Sequence, residues 1–237
     1  MNANIPIRTP WQNFPSVILH TEESLVKKHP HYQEAKAGDA DAAFTLVKET
    51  TSEQAVTELK ELIQGRQAIL VSAHAFEKDG VNAIPEAFAD ELGRRLGIPT
   101  DGSVVQINVV GHTGANGFAR MARQAIFDGT VIKGANYVLV DDFIGQGGTL
   151  ANMKGFIEAE GGIVIGATVL TGKPYSAILT PTQEQLAELR AKHGKDFEDW
   201  WRDKFSHGFD CLTQSEARYL TRTEDVNTIR NRLAAEE

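Results

Sequence analysis

Apolar runs alternate with amphipathic segments in the middle of the chain, between residues 67 and 172. The apolar runs are AILVSA (68–73), VVQINVV (104–110), YVLVDD (137–142) and IVIGATVL (163–170). Between them, segments 84–96 and 149–160 have helical periodicity, and 119–127 is predicted to be partly helical. Strands that are apolar throughout and alternate with helices indicate a mainly parallel sheet covered on both faces. The predicted fold class is therefore α/β with a doubly wound sheet.

The two ends of the chain have helical patterns instead. An irregular start leads into helical spacing broken at Gly38, and then into a helix over 52–64 that Ser52 is predicted to cap. After Lys173 the pattern predicts one long helix over 182–205, then a helix that opens with a capping box between Thr213 and Glu216, and a last helix over 225–235.

No Pro-, Gly- or Ser-rich linker separates these parts from the core, so we expect them to form one compact unit with it. The predicted organisation is an N-terminal helical extension over 1–66, an α/β core over 67–172 and a C-terminal helical region over 173–237 packed on that core.

Composition narrows the classes of partner. The 237 residues carry a net charge of -8 and no dense basic run, so we expect no nucleic-acid partner. The start of the chain lacks the pattern of a signal peptide, and no apolar stretch approaches the roughly 20 residues of a membrane span. The single cysteine, Cys211, can form neither an internal disulfide nor a zinc cluster. We therefore expect a cytoplasmic protein without a membrane partner.

One segment carries recognisable chemistry, YVLVDDFIGQGGT at 137–149. A buried strand ends in Asp141 and Asp142, whose carboxylates can accept hydrogen bonds from vicinal sugar hydroxyls. Ligands of open α/β sheets bind beyond the carboxyl ends of the strands. A glycine-rich turn then leads into a helix, whose free amides and dipole suit a phosphate. The turn consists of Gly145, Gln146, Gly147, Gly148 and Thr149. Together these features indicate a pocket for ribose 5-phosphate.

Three known motifs with similar elements fit this segment less well. A Walker loop needs a lysine that the segment lacks, and a dinucleotide fingerprint fails because Leu150 stands where its last glycine belongs. A receiver domain has its paired acids near the chain start and no glycine-rich turn after them. An ordinary strand–turn–helix remains the alternative without function.

The segment resembles the signature of the type I phosphoribosyltransferases, and the similarity extends over about residues 67–172. The resemblance implies that Asp141 and Asp142 hold the ribose hydroxyls as catalytic residues and that the 145–149 turn holds the 5-phosphate of phosphoribosyl pyrophosphate. It implies transfer of the phosphoribosyl group to a nitrogenous base, with release of pyrophosphate. It also implies Mg²⁺ bound mainly through the donor. We expect a homodimer and an unidentified base as acceptor.

Flanking loops supply further candidates by their position in the family. The loop over 73–80, with His74 and Lys78, stands where the family contacts pyrophosphate. The glycine-rich segment over 111–118, which includes His112, stands where it has a mobile lid, and Arg120 and Arg123 follow it. Lys173 and Tyr175, after the last core strand, are the candidate contacts to the acceptor.

Gly145 departs from the family pattern, because purine-salvage members often have an aspartate there. Glycine cannot act as an acid or base, so the acceptor stays open. Two alternatives to an enzyme follow: a non-catalytic sensor of phosphoribosyl pyrophosphate or a nucleotide on the same fold, and an unrelated α/β domain with a fortuitous turn.

Overall fold

The structure is a computed structural model that describes residues 5–73, 76–77, 80–110 and 116–236. Its main sheet has five parallel strands in the order β1-β9-β8-β2-β5. These are β1 (Ile18–Thr21), β2 (Ala68–Ser72), β5 (Thr100–Asp101), β8 (Asn136–Ile144) and β9 (Ile163–Gly172). Two short antiparallel pairs accompany it, β3 (Phe76–Glu77) with β4 (Gly80–Val81), and β6 (Val105–Gln106) with β7 (Phe127–Asp128).

Helices cover both faces of this sheet, which confirms the predicted fold class. The N-terminal and central helices are α1 (Glu23–Lys27), α2 (Tyr32–Lys36), α3 (Ala40–Thr50), α4 (Glu53–Ile63), α5 (Ile84–Leu96), α6 (Gly117–Ala122) and α7 (Gly148–Ala159). The C-terminal helices are α8 (Gln183–His193), α9 (Lys195–Phe205), α10 (Gln214–Arg222) and α11 (Val226–Ala234).

Alternate side chains of β8 point to opposite faces of the sheet, so the core has two layers. Val138 and Val140 pack with residues of α3, α4 and α5. Leu139, between them, packs with Met153 and Ile157 of α7 on the opposite face. Because the central strand is covered on both sides, it is apolar throughout rather than alternating. The C-terminal helices add a third apolar cluster that includes Phe197 and Trp201.

Several predicted elements have the expected bounds. α5 spans Ile84–Leu96 as predicted, and Ser52 caps α4 by accepting from the amide of Ala55. The capping box that opens α10 is formed in both directions between Thr213 and Glu216. The single helix predicted over 182–205 is wrong, because Gly194, with φ +80°, divides it into α8 and α9.

The strand predicted over 104–110 is also wrong in most of its length. Only Val105–Gln106 forms a strand, and it pairs with β7 outside the main sheet. The neighbour of β2 is instead β5. Ile107 and Val109 are 57% and 62% exposed, and Asn108 bonds to the backbone of Gln124 and Ile126. These apolar residues therefore line no buried strand.

The edge strand β1 was not predicted. It lies in the irregular start of the chain and pairs with β9, with Ile18 beside Thr168. Four residues with one buried side chain give too weak a pattern to identify a strand from sequence. Its partner lies about 150 residues further along the chain.

Candidate functional site

The two acids of the motif lie at the end of β8, in the middle of the sheet. β8 extends two residues beyond them, because Phe143 and Ile144 still pair with β9. Asp141 is 8% exposed, and the side chain of Asp142 is 14% exposed. The amide of Asp142 donates to Oδ1 of Asp141 at 2.8 Å, which fixes one carboxylate against the next residue.

Two residues from outside the motif hold the second acid. Lys36 Nζ, at the end of α2, donates to Oδ2 of Asp142 at 3.2 Å. Asn82 Nδ2, just before α5, donates to the same oxygen at 3.0 Å. Asn82 is itself buried, and its Oδ1 accepts from the amide of Ile84. Asp142 is therefore oriented by a cation and a fixed amide.

These contacts make the two acids unequal. Burial raises the pKa of Asp141 well above its ordinary value, and the charge of Asp142 raises it further. Burial also acts to raise the pKa of Asp142, but the charge of Lys36 and the hydrogen bond from Asn82 outweigh it, so that pKa is lowered. Asp142 is thus the ionised member of the pair, and Asp141 keeps its proton to higher pH.

The glycine-rich turn ends at the N-terminus of α7. Gly147 has φ +83°, which a glycine adopts without strain, and α7 begins at Gly148. A Cβ on Gly147 would also lie 2.4 Å from Leu179. The first amides of a helix have no partners within it and attract anions. The turn therefore leads into the free amides of a helix N-terminus at the cleft.

Side chains from the C-terminal region brace this turn. Thr213 Oγ1 donates to the carbonyl of Gln146 at 2.6 Å, and Ser176 Oγ donates to the carbonyl of Gly145. Both carbonyls therefore accept hydrogen bonds. These bonds join the turn to Ser176, which follows β9, and to Thr213, the N-cap residue of α10. The C-terminal helices thus support the loop that the sequence singled out.

A buried ion pair lies against the start of α7. Arg8 donates to both carboxylate oxygens of Glu216, at 2.7 and 3.0 Å, and to Oδ1 of Asn152 at 2.6 Å. Both charged side chains are 2% exposed. A Cβ on Gly148 would lie 3.1 Å from Glu216 and 3.4 Å from Arg8. The pair therefore joins the N-terminal and C-terminal segments of the chain to the glycine-rich turn.

One cleft of about 1440 Å³ brings the candidates together. It is lined by both acids and by the whole 145–149 turn. It is also lined by four of the further candidates: Arg120, Arg123, Lys173 and Tyr175. Arg123 pairs with Glu236, Lys173 pairs with Glu23, and Tyr175 is 60% exposed. The candidates His74, Lys78 and His112 lie outside the described residues.

The cleft is more basic than the rest of the chain. Its described lining includes eight cationic side chains and four acidic ones, although the chain has a net charge of -8. The cations are Arg8, Lys27, Lys36, Arg120, Arg123, Lys173, Arg218 and Arg222; the acids are Glu23, Asp141, Asp142 and Glu216. Such a concentration of positive charge favours a polyanionic ligand.

Sequence reasoning missed the residues that support the motif from a distance. Arg8, Lys36, Asn82 and Arg218 belong to no local pattern that indicates a site. Glu216 had a signal, the capping box, but that signal indicates a helix start and not a contact with the glycine-rich turn.

The two aspartates are also the residues that a metal ion in the cleft could contact. Carboxylate oxygens are ligands that Mg²⁺ accepts, and it usually keeps ligands from water and substrate phosphates as well. Within the described residues, no group of three or more His, Cys, Asp or Glu side chains surrounds a common point. Asp141 and Asp142 could therefore supply only part of the ligands of such an ion. No helix among the described residues is long and apolar enough to span a membrane.

Comparison with known proteins gives relatives that are longer than this chain. A protein named TraN from Escherichia coli is 39% identical over 228 residues, which cover 96% of this chain and 51% of TraN. An uncharacterized Haemophilus influenzae protein is 39% identical over 155 residues, 65% of this chain and 35% of that protein. The chain thus spans about half of the first relative and about a third of the second. No family model matches it.

Several of the solved structures that resemble the chain are phosphoribosyltransferases. The adenine phosphoribosyltransferase of Thermoanaerobacter pseudethanolicus is 20% identical with a TM-score of 0.36, covering 60% of this chain and 74% of that one. The enzyme of Leishmania tarentolae is 16% identical with a TM-score of 0.37, covering 88% and 98%. A hypoxanthine phosphoribosyltransferase of Staphylococcus aureus is 16% identical with a TM-score of 0.35, covering 56% and 65%. The fold class rests on the chain's own sheet order and layers.

Proposed function

We propose that this chain binds phosphoribosyl pyrophosphate and transfers its phosphoribosyl group to a nitrogenous base, with release of pyrophosphate. One observation carries the proposal: paired acids at a strand end, a glycine turn and a helix N-terminus lie in one cleft with a cationic lining. The donor presents a diol, a monophosphate and a diphosphate, and the cleft offers a complementary group to each.

The residues divide the work in this proposal. Asp142, held ionised by Lys36 and Asn82, accepts a hydrogen bond from a ribose hydroxyl. Asp141 contacts the neighbouring hydroxyl, and the 147–149 amides bind the 5-phosphate. Arg120 and Arg123 lie in the same cleft and stabilise the negative charge that develops on the leaving pyrophosphate. The chain thus contributes positioning and charge stabilisation rather than a nucleophile.

Mg²⁺ belongs to this proposal as an ion that enters with the donor. It neutralises charge on the pyrophosphate when it is bound. Asp141 and Asp142 are the residues that would contact it, either directly or through the ribose hydroxyls. A homodimer and a cytoplasmic location remain predictions.

Release of pyrophosphate tests the proposed activity. The full chain is incubated with Mg²⁺, phosphoribosyl pyrophosphate and a panel of purine, pyrimidine and pyridine bases. We expect base-dependent release with at least one base, and its loss in the double variant Asp141→Asn, Asp142→Asn. Donor binding without release from any base would contradict transferase activity.

A second candidate, a sensor that binds the donor or a nucleotide without turnover, is favoured by one contact. Arg120 Nη1 lies 2.2 Å from the position of a Cβ on Gly145, so a guanidinium fills the space that an acidic side chain would need. A sensor would show tight binding, no pyrophosphate release and a ligand-dependent interaction with a partner. A pull-down with the longer relatives' additional region, with and without donor, distinguishes it from the enzyme.

A further inference from the structure

Two arginines are associated with Gly145, the first glycine after the acids. The Arg120 side chain lies against it, and two serine hydroxyls link its carbonyl to Arg218. Arg120 occupies the space of a side chain on residue 145. The carbonyl of Gly145 accepts from Ser176 Oγ, which lies 3.1 Å from Ser215 Oγ. Arg218 Nη2 in turn donates to Ser215 Oγ at 3.1 Å. The cleft is therefore cationic at this point of the loop.

Arg218 also lies over an aromatic ring. Its guanidinium carbon is 5.1 Å from the ring centroid of Tyr175, which is 60% exposed and lines the same cleft. The hydroxyl of Ser215 and the ring of Tyr175 both contact Arg218 without bringing a negative charge to it. An exposed ring beside a planar guanidinium can pack on a flat ligand and bind a carboxylate with two hydrogen bonds.

We propose that Tyr175 and Arg218 form the acceptor subsite, and that the acceptor is a planar nitrogen heterocycle that carries a carboxylate. This inference rests on the proposed function, because it names the acceptor of the same transfer. The pyrophosphate of the donor has no flat ring to pack on Tyr175. The 5-phosphate has its own site at the start of α7. A carboxylated ring uses both the aromatic and the cationic member of the pair.

The transfer is balanced without any further reactant. The lone pair of the ring nitrogen forms a bond to C1 of the ribose. The bond from C1 to the pyrophosphate oxygen breaks, and its electron pair leaves with pyrophosphate. A proton carried by the ring nitrogen passes to solvent. Arg218 binds the carboxylate and takes no part in bond making.

Matched pairs of ligands test the requirement for a carboxylate. Nicotinate is compared with nicotinamide, and orotate with uracil, by titration calorimetry on the full chain with and without donor. We expect the acid of at least one pair to bind about tenfold more tightly than its neutral partner, as a charge-assisted hydrogen-bonded pair provides. Arg218→Gln should remove this preference and lower donor affinity much less than acid affinity, and Arg218→Lys should retain part of the preference. Arg94→Gln, at a 65% exposed side chain on α5, is the control.

The possible results distinguish failure of the acceptor subsite from failure of the proposed function. Equal affinity within both pairs overturns the inference, as does an Arg218→Gln variant that loses donor affinity as strongly as acid affinity. Pyrophosphate release with neutral rings alone also overturns it but keeps the proposed function. A wild-type chain that binds no donor contradicts the proposed function, whereas an acid preference measured without donor and lost in Arg218→Gln still supports the subsite.

Discussion

Lys36 and Asp142 are 106 residues apart in sequence, yet the Lys36 ammonium lies 3.2 Å from Oδ2 of Asp142. The lysine ends a short helix in the N-terminal part of the chain, and the aspartate lies at the end of the central strand. The N-terminal helices therefore contribute directly to the candidate ribose site. The charge state of that site depends on a residue outside the segment that resembles the family.

Replacing Lys36 should change the pH dependence of donor binding. The charge of Lys36 lowers the pKa of Asp142, so Lys36→Met should raise that pKa and move the onset of binding to higher pH. Donor affinity at neutral pH should fall by roughly tenfold, the equivalent of one charge-assisted hydrogen bond. Calorimetric titrations across pH provide the measurement. Lys36→Arg should restore the profile, and Lys60→Met, at an exposed position on α4, should leave it unchanged. A Lys36→Met profile equal to that of the wild type would show that the contact does not matter for binding.

Ionisation of Asp141 should lower the free energy of unfolding as pH rises. Its pKa is raised in the folded state, so its contribution to stability is full below its unfolded pKa and is lost as pH rises through the folded value. Asp141→Asn keeps the oxygen that accepts from the amide of Asp142 and removes the titration. The variant should therefore have a larger free energy of unfolding than the wild type at about pH 8, with a difference that shrinks towards about pH 4. Urea denaturation at several pH values measures this. A difference that grows towards acid would contradict the assigned direction.

The Arg8–Glu216 pair should be sensitive to loss of either member. Arg8→Met leaves a carboxylate buried without its cation, which costs about 3 kcal/mol or more in comparable pairs. The double variant Arg8→Met, Glu216→Leu should be more stable than Arg8→Met alone, because it leaves no buried charge. A double-mutant cycle by chemical denaturation measures the coupling. Additive effects of the two substitutions would mean that the ion pair contributes nothing specific.

Two glycine substitutions should separate stability from ligand binding. In Gly145→Ala the new methyl group meets the end of the flexible Arg120 side chain, whereas in Gly155→Ala it lies 2.1 Å from the backbone oxygen of Ile7. Gly155→Ala should therefore lower the free energy of unfolding by about 1–3 kcal/mol, as overpacking does. Gly145→Ala should change stability little and displace the Arg120 guanidinium, which weakens binding of anionic ligands. Thermal melts and donor titrations on both variants give the comparison. Equal destabilisation of the two would contradict the difference between a movable side chain and a fixed backbone.

The central motif could be predicted from sequence because its parts are consecutive. An apolar strand, two acids, a glycine turn and a helix follow one another between Tyr137 and Ala159, and each has a local physical signature. The structure places them as the sequence indicates. Gly194 and the exposed side chain of Ile107 show where local patterns failed, since helical spacing continues across a break and apolar residues also occur on surfaces.

The supporting residues could not be predicted, because they depend on contacts between distant segments. Lys36, Arg8 and Arg218 are ordinary charged residues on amphipathic or irregular segments until the fold brings them to the cleft. The edge strand β1 is recognisable only through its pairing with β9. A single sequence does not show which distant segments pair.

Titration of phosphoribosyl pyrophosphate with Mg²⁺ into the wild type and into the double variant Asp141→Asn, Asp142→Asn tests the central claim most directly. The variant retains the size of both side chains and the oxygens that accept from Lys36, Asn82 and the Asp142 amide. We expect saturable binding to the wild type and at least about a tenfold loss in the variant, because the ionised acceptor Asp142 loses its charge and Asp141 loses its carboxyl group. Equal affinity of the two proteins for the donor would contradict it.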